Sequence, residues 1–341
     1  PQPMEAKPEN NKAAYPDPLD TIVLAGSDEN PRRKIQGQNK AFLEIGGKTL
    51  VRRVVDALLY SESVGHVFVV GPLERLEAVL GGMSPRVTLV QQVGKMVANA
   101  WEAIHAAEAH ERGLKGTNDI QRPLLFLSCD LPLISPQAVD DFISRCATVD
   151  ASEPVNYAML CGVADETSLK DYYPEEGRAG IVRPYVNFAE ARVRLANIYV
   201  GRPRTLENQK FLQFGFEHRK AEKWKNVMAL TWNFLSQSGG WHAAWLSIRL
   251  QATLIASRSE GWLYRHLRKG NSSRRTELVC SKVLSGPVRM VITPYGGLSL
   301  DADNEYDFEV LSQRIEEWQK MPPAEGIPLS LIHISEPTRR H

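Results

Sequence analysis

Two carboxylates and one ammonium fall at the ends of apolar runs in this chain. Asp130 closes the segment LLFLSCDLP (124–132), behind a nearly unbroken apolar stretch and ahead of Leu-Pro. A carboxylate at that point projects from the rim of a sheet. There it can hold a hard cation such as Mg²⁺ between triphosphate oxygens. Asp303 follows the apolar run VRMVITPYGGLSLDAD in the same way. Its competing reading is a helix N-cap, a standard use of Asp just before a helix. Asp301, two residues earlier, is read as a supporting residue that faces away from Asp303 on a strand. Lys40 follows a polar loop and precedes AFLEIGG, where it can reach phosphate oxygens as a point charge. Arg32, Arg33 and Lys34 in that loop are further candidates, at least two of them read as a solvated basic loop. Gly26 ends the run DTIVLAG and lets backbone N–H groups approach a phosphate closely.

These residues need a scaffold that brings strand ends together. DTIVLAG (20–26), HVFVVGP (66–72), RVTLVQQ and LLFLSCDLP read as four strands. Helices separate them, at about 49–60, 73–80 and 97–110, and Ser135-Pro136 opens the next helix as N-cap and first residue. This alternation predicts an α/β fold, a Rossmann-like three-layer sandwich with a mostly parallel central sheet. VNYAMLCGV and RLANIYVGRP read as further strands. A Trp-rich stretch carrying Trp224, Trp232, Trp241, Trp245 and Trp262 reads as a helical insertion over about 206–285. Its aromatics are taken as a local hydrophobic core, with an apolar surface for a lipid-like acceptor or a membrane as the alternative. The chain returns to the sheet with VRMVITPYGG and ends in an amphipathic helix near 305–320. In doubly wound sheets ligands bind beyond the carboxyl ends of the strands. Four segments are placed there: 24–26, 91–94, 129–132 and 300–303.

Composition removes several classes. A formal net charge of +1 gives no electrostatic reason for a nucleic-acid partner. Cys129, Cys146, Cys161 and Cys280 form no CxxC pair, so a zinc site is not expected. Scattered thiols fit a reducing, cytoplasmic setting. No apolar run reaches the ~18 residues of a spanning helix, and no GxGxxG follows the first strand, which disfavours a dehydrogenase. Residues 1–19 read as a polar, Pro-rich disordered leader and 20–320 as the domain. Residues 321–341 read as a tail, of which IPLSLIHISEPTRRH (327–341) resembles the read-through translation of a sequencing adapter and is set apart from the fold.

Four landmarks carry a family resemblance: LAG (24–26), NKAFLEIGGKTLV (39–51), SCDLPLIS (128–135) and DADNEYDFEVL (301–311). In this order they resemble the MobA-like NTP transferases, nucleotidyltransferases of the nucleotide-diphospho-sugar transferase-like fold. The resemblance spans about 20–320 and is loose in the middle. It implies that Leu24, Ala25 and Gly26 begin a nucleotide-binding loop, with Arg32 the loop arginine. It implies that Lys40 contacts the phosphates and that Gln92 and Gly94 lie near base and ribose. Asp130 and Asp303 would be paired Mg²⁺ ligands, and Asn197 would face the acceptor. The loop departs from the family pattern GGxSxRxG. Here it reads GSDENPRRKIQGQ, with Ser27 at the second glycine and an arginine, Arg32 or Arg33, aligned only across a gap.

The implied reaction transfers NMP from an NTP to a phosphorylated small-molecule acceptor, with pyrophosphate leaving. An anionic acceptor needs no general base, in keeping with the lack of an obvious catalytic triad. Two rivals remain. One is a glycosyltransferase using Asp301-x-Asp303 to hold a sugar nucleotide. The other is a nucleotide-binding regulator without turnover.

Overall fold

The structure, a computed structural model, describes residues 13–26, 35–207 and 240–331. The expected strands form where β-branched and aliphatic residues cluster. β1 spans Leu19–Leu24 and is followed by a short hairpin, β2 (Glu44–Ile45) and β3 (Lys48–Thr49). Thr49 then caps α1 (Leu50–Tyr60), its side chain accepting from the Arg52 N–H. The chain continues through β4 (Val64–Gly71), α2 (Leu73–Leu80), β5 (Val87–Gln91), α3 (Met96–Lys115) and β6 (Leu124–Ser128). α4 (Pro136–Ser152) starts as its sequence predicts, with the Ser135 side chain accepting from Ala138 N–H and Pro136 at the first helical position.

The second half holds β7 (Met159–Asp165), the short α5 (Glu166–Leu169), β8 (Val186–Asn187) and β9 (Arg192–Gly201). Three helices follow among the described residues: α6 (Gly240–Ala256), α7 (Trp262–Lys269) and α8 (Ser273–Leu284). β10 (Val288–Ile292) and α9 (Glu305–Trp318) complete the chain.

The central sheet runs β10-β7-β9-β6-β1-β4-β5, with β8 pairing β9. Its pairings are parallel except those of β9, which is antiparallel to β6, β7 and β8. Alternate side chains enter different layers. Val23, Val67, Val69, Leu125 and Leu127 pack with α1 and α4, whereas Ile22, Phe68 and Leu124 pack with α3. The result is a Rossmann-like α/β sandwich with helices on both faces.

Two edges of the predicted domain have contacts of their own. Tyr15 donates a hydrogen bond to Asp150 at 2.6 Å and Ser144 donates to the Ala13 carbonyl, so residues 13–15 lie against α4. Leu331 is buried, and Arg145 donates to the Ile327 and Pro328 carbonyls. Residues 332–341 lie outside the described residues, as do Trp224 and Trp232. The local-core reading of the other three insertion tryptophans is corrected: Trp241, Trp245 and Trp262 are 75%, 60% and 72% exposed. The insertion is held by a buried polar network instead. Tyr264 donates to Asn187, Asn271 donates to the Asn187 carbonyl and to Thr253, and Arg249 donates to Asn271.

Candidate active site

Among the described residues, Lys40, Gln92, Asp130, Asn197 and Asp303 lie around the carboxyl ends of β1, β5 and β6. Lys40 is placed by its neighbour. Asn39 caps the single turn Lys40–Phe42 through its side-chain oxygen, while its amide nitrogen donates to the Ala25 carbonyl at 3.4 Å. That ties the lysine to the end of β1. The Lys40 ammonium then lies 3.5 Å from Asp130 Oδ2 and 3.2 Å from Asp303 Oδ1. Burial pulls the Lys40 pKa down, but Asp130, Asp303 and Asp301 more than offset this and hold it above the ordinary lysine value.

Asp130 is oriented from its own strand end. Ser128 donates a hydrogen bond to its Oδ1, and Cys129 N–H donates to the Leu24 carbonyl across to β1. The Cys129 thiol is buried and its pKa is pushed up, by burial first and then by Asp130. It is inert packing, as the sequence suggests.

Asp303 reaches the site by a different route from the one expected. Residues 300–303 do not end a strand, because β10 stops at Ile292. A 3-10 turn, Gly296–Ser299, carries the chain back to the rim. Its glycines permit this approach. A Cβ on Gly297 would lie 2.8 Å from Leu133 Cβ, and one on Gly296 would collide with the Ser168 carbonyl. The N-cap of α9 is Asn304, whose side chain accepts from Asp307 N–H. Asp303 is thereby free of the capping role. The view of Asp301 as facing away on a strand is also corrected. Residues two apart on a strand would share a face, and here Asp301 is buried beside the same cluster. Burial raises its pKa, and Asp130 and Asp303 add to the effect.

Two arginines complete the cluster, and neither was evident in the sequence. Arg183 Nη2 donates to Asp307 at 2.6 Å and to the Asp301 carbonyl at 2.7 Å, and lies 3.9 Å from Asp303 Oδ2. Burial lowers its pKa, but Asp307, with Asp303 and Asp301, raises it overall. Arg194, on β9, donates to the Ser299 carbonyl and lies 3.4 Å from Asp301 and 3.8 Å from Asp303.

On the other side, Gly26 meets the loop after β5. A Cβ on Gly26 would lie 2.8 Å from Asn99 Nδ2 and 3.6 Å from Gln92 Oε1. Asn99, on the first turn of α3, is a third residue that sequence reasoning missed. Its side-chain oxygen accepts from the Val93 and Gly94 N–H groups and its amide donates to the Gly94 carbonyl. It fixes the loop bearing Gln92 and Gly94 beside Leu24–Gly26. Asn197 is buried on β9, one residue from Ile198, which pairs with Leu127 of β6. That register puts it beside the Ser128–Asp130 end. Arg32 lies outside the described residues.

Comparison with known proteins agrees with this architecture. Residues 21–166, from β1 to the start of α5, match the family model described as MobA-like NTP transferase domain. A hypothetical transferase from Thermus thermophilus superposes with a TM-score of 0.50 at 19% identity, over 85% of this chain and 98% of that one. Looser similarity extends to CMP:2-keto-3-deoxy-manno-octonic acid synthetase complexed with CTP. It has a TM-score of 0.43 and 14% identity, over 88% and 99% of the two chains. A 4-diphosphocytidyl-2C-methyl-D-erythritol synthase from Anaerococcus prevotii has a TM-score of 0.45 and 9% identity, over 88% and 96%. No curated protein matches the chain significantly in sequence.

Proposed function

We propose that this protein is a nucleotidyltransferase that moves NMP from an NTP to a phosphorylated small-molecule acceptor. The observation that carries this reading is the meeting of Lys40, Asp130 and Asp303 at one rim, within 3.2–3.5 Å of a shared ammonium. An acceptor phosphate oxygen attacks the α-phosphorus, the bond to the β-phosphate oxygen breaks, and pyrophosphate leaves. The acceptor oxygen is already anionic at neutral pH, so no proton need be removed.

A divalent cation fits the donor set. Mg²⁺ takes only one or two protein carboxylates when substrate phosphates fill its other positions. Asp130 and Asp303 supply two, and among the described residues no group of three or more His, Cys, Asp or Glu offers an all-protein cage. These two aspartates would hold Mg²⁺, which supplies neutralisation of phosphate charge and a fixed orientation when bound. The chain's own groups do the rest. Leu24, Ala25 and Gly26 begin the nucleotide-binding loop; the Ala25 N–H is held by the Val70 carbonyl, so close backbone approach to phosphate begins at Gly26, with Arg32 in the adjoining loop. Gln92 and Gly94 border the base and ribose. Lys40 offsets charge on the departing pyrophosphate, and Asn197 borders the acceptor. Catalysis is then positioning plus charge stabilisation.

The test incubates the chain with each of the four NTPs, Mg²⁺ and a panel of phosphorylated sugars, alcohols and cofactor precursors. Pyrophosphate release that falls at least about 100-fold in Asp130→Ala is expected, by analogy with loss of one preorganised donor. Release of a nucleoside diphosphate instead would indicate glycosyl transfer. NTP binding with no turnover across the panel would sink the enzyme reading and leave a regulator.

A further inference from the structure

The helical insertion is built against the usual arrangement of a surface helix. On α6, Trp241, Trp245, Ile248 and Ile255 follow i, i+4, i+7 and i+14 spacing, which places them on one face. All four are exposed. The opposite face is the one that packs: Ala243 and Thr253 are buried there and Leu250 contacts the sheet-edge cluster. At the start of α7, Trp262 and Leu263 are exposed as well. These elements are anchored, since the Asn187–Tyr264–Asn271–Thr253 network ties α6 and α7 to β8. The fold thus satisfies buried polar groups in the insertion while leaving three indoles outside it.

Charge indicates what covers them. Residues 240–284 hold eight Lys and Arg against two Asp and Glu, a formal +6 in a chain of +1. Arg258, Arg265, Lys269, Arg274, Arg275 and Lys282 are exposed. Of the two acids, Glu277 is buried against Arg289, which leaves Glu260 on the surface. Indoles prefer the water–hydrocarbon boundary, and clustered cations are drawn to anionic headgroups. A second copy would bring two positively charged surfaces together. No helix among the described residues is long and apolar enough to cross a membrane, so the contact is a surface one. We propose that α6 and α7 form a docking face for an anionic lipid bilayer, with the indoles entering the headgroup boundary and the cations meeting lipid phosphates.

This inference does not depend on the transferase reading. The full chain is sedimented with vesicles of phosphatidylcholine alone and with roughly 30% phosphatidylserine. Binding to the anionic vesicles is expected, with release on raising salt from about 0.05 M to about 0.5 M. Partitioning should drop at least ~10-fold in Trp241→Ala/Trp245→Ala/Trp262→Ala and likewise in Arg265→Glu/Lys269→Glu. The charge-reversal pair keeps the test open if the triple variant fails to fold. Absence of binding to anionic vesicles, or equal binding to both compositions, would overturn the proposal. So would a concentration-dependent dimer that the triple variant abolishes, since the face would then serve a second copy.

Discussion

Lys40 and Asp303 are separated by 263 positions in sequence, yet the lysine ammonium donates to the aspartate at 3.2 Å. The same ammonium faces Asp130, so one cation occupies the space between two carboxylates that a metal would also seek. On the proposed reading, the ammonium and a divalent ion would compete for the same negative charge.

Replacing Lys40 by Met should make this competition visible. The variant leaves Asp130, Asp301 and Asp303 without their shared cation, so added Mg²⁺ should raise its melting temperature by ~2 °C or more beyond the rise in the parent protein. Calorimetry with and without Mg²⁺ measures the difference. In the nucleotidyltransferase assay the same variant should lose about two orders of magnitude in rate, as a preorganised charge is lost. An equal Mg²⁺ response in both proteins would show that ammonium and metal do not share a site.

Gly26 and Asn99 form a coupled pair. Gly26→Ala would drive a methyl into the Asn99 amide, and Asn99→Ala would remove the acceptor of the Val93 and Gly94 N–H groups. Each substitution should raise KM for the NTP by about tenfold, ~1.4 kcal/mol, with a smaller effect on kcat. The double variant should cost less than the sum of the two, because both act on one loop. Steady-state kinetics on the four proteins decides this, and strict additivity would mean that the loop does not respond as a unit.

Arg183 should matter to stability before it matters to activity. Its guanidinium pairs with Asp307, whose side chain is 3% exposed. Arg183→Met leaves that carboxylate buried without its ion-pair partner, at a cost of about 3 kcal/mol. Urea unfolding at neutral pH measures it, and Arg183→Lys should recover part of the loss. A change below ~1 kcal/mol would show that the Asp303 N–H suffices to hold the Asp307 carboxylate.

His66 gives a pH dependence away from the site. Burial, the His110 ring at 4.2 Å between centroids and Arg86 hold its pKa below the ordinary histidine value, outweighing Asp20. A depressed folded-state pKa means the stabilisation is present above the unfolded value of about 6.5 and is lost as pH falls through the folded one. Stability should therefore decline from pH 7.5 towards pH 5, and His66→Gln should decline less. Parallel urea titrations at the two pH values compare the slopes.

The sequence made one half of this arrangement legible and obscured the other, for physical reasons. Asp130, Gly26 and Gln92 follow apolar strands whose composition marks a buried parallel sheet, so their place at a rim follows from local pattern. Asp303 was found by type and position, but its path could not be read. A glycine pair that permits close backbone approach leaves no periodic signal. Arg183 lies in an irregular segment between α5 and β8 with no periodicity at all. Arg194 belongs to RVRLANIYV, where its alternation with Arg192 reads as a solvent-facing polar edge. Only the insertion of β9 between β6 and β7 turns it towards the acids. Asn99 is an amide within a helix, and nothing local marks it as the organiser of a loop five residues back. Trp241, Trp245 and Trp262 depart from the core reading because aromatic content is the usual signature of a core, whereas here the buried polar network does the anchoring.

The sheet order has a consequence for synthesis on the ribosome. β1, β4, β5 and β6 emerge first, with Gly26, Gln92 and Asp130 just beyond the ends of β1, β5 and β6. Asp303 emerges only after the insertion and β10 have been made. At ~5–20 residues per second, a nascent chain spends on the order of ten seconds or more with one carboxylate and no partner for it. On the proposed reading, the residues assigned to the triphosphate are made well before the second carboxylate, so a chain terminated ahead of Asp303 would hold nucleotide without turning it over.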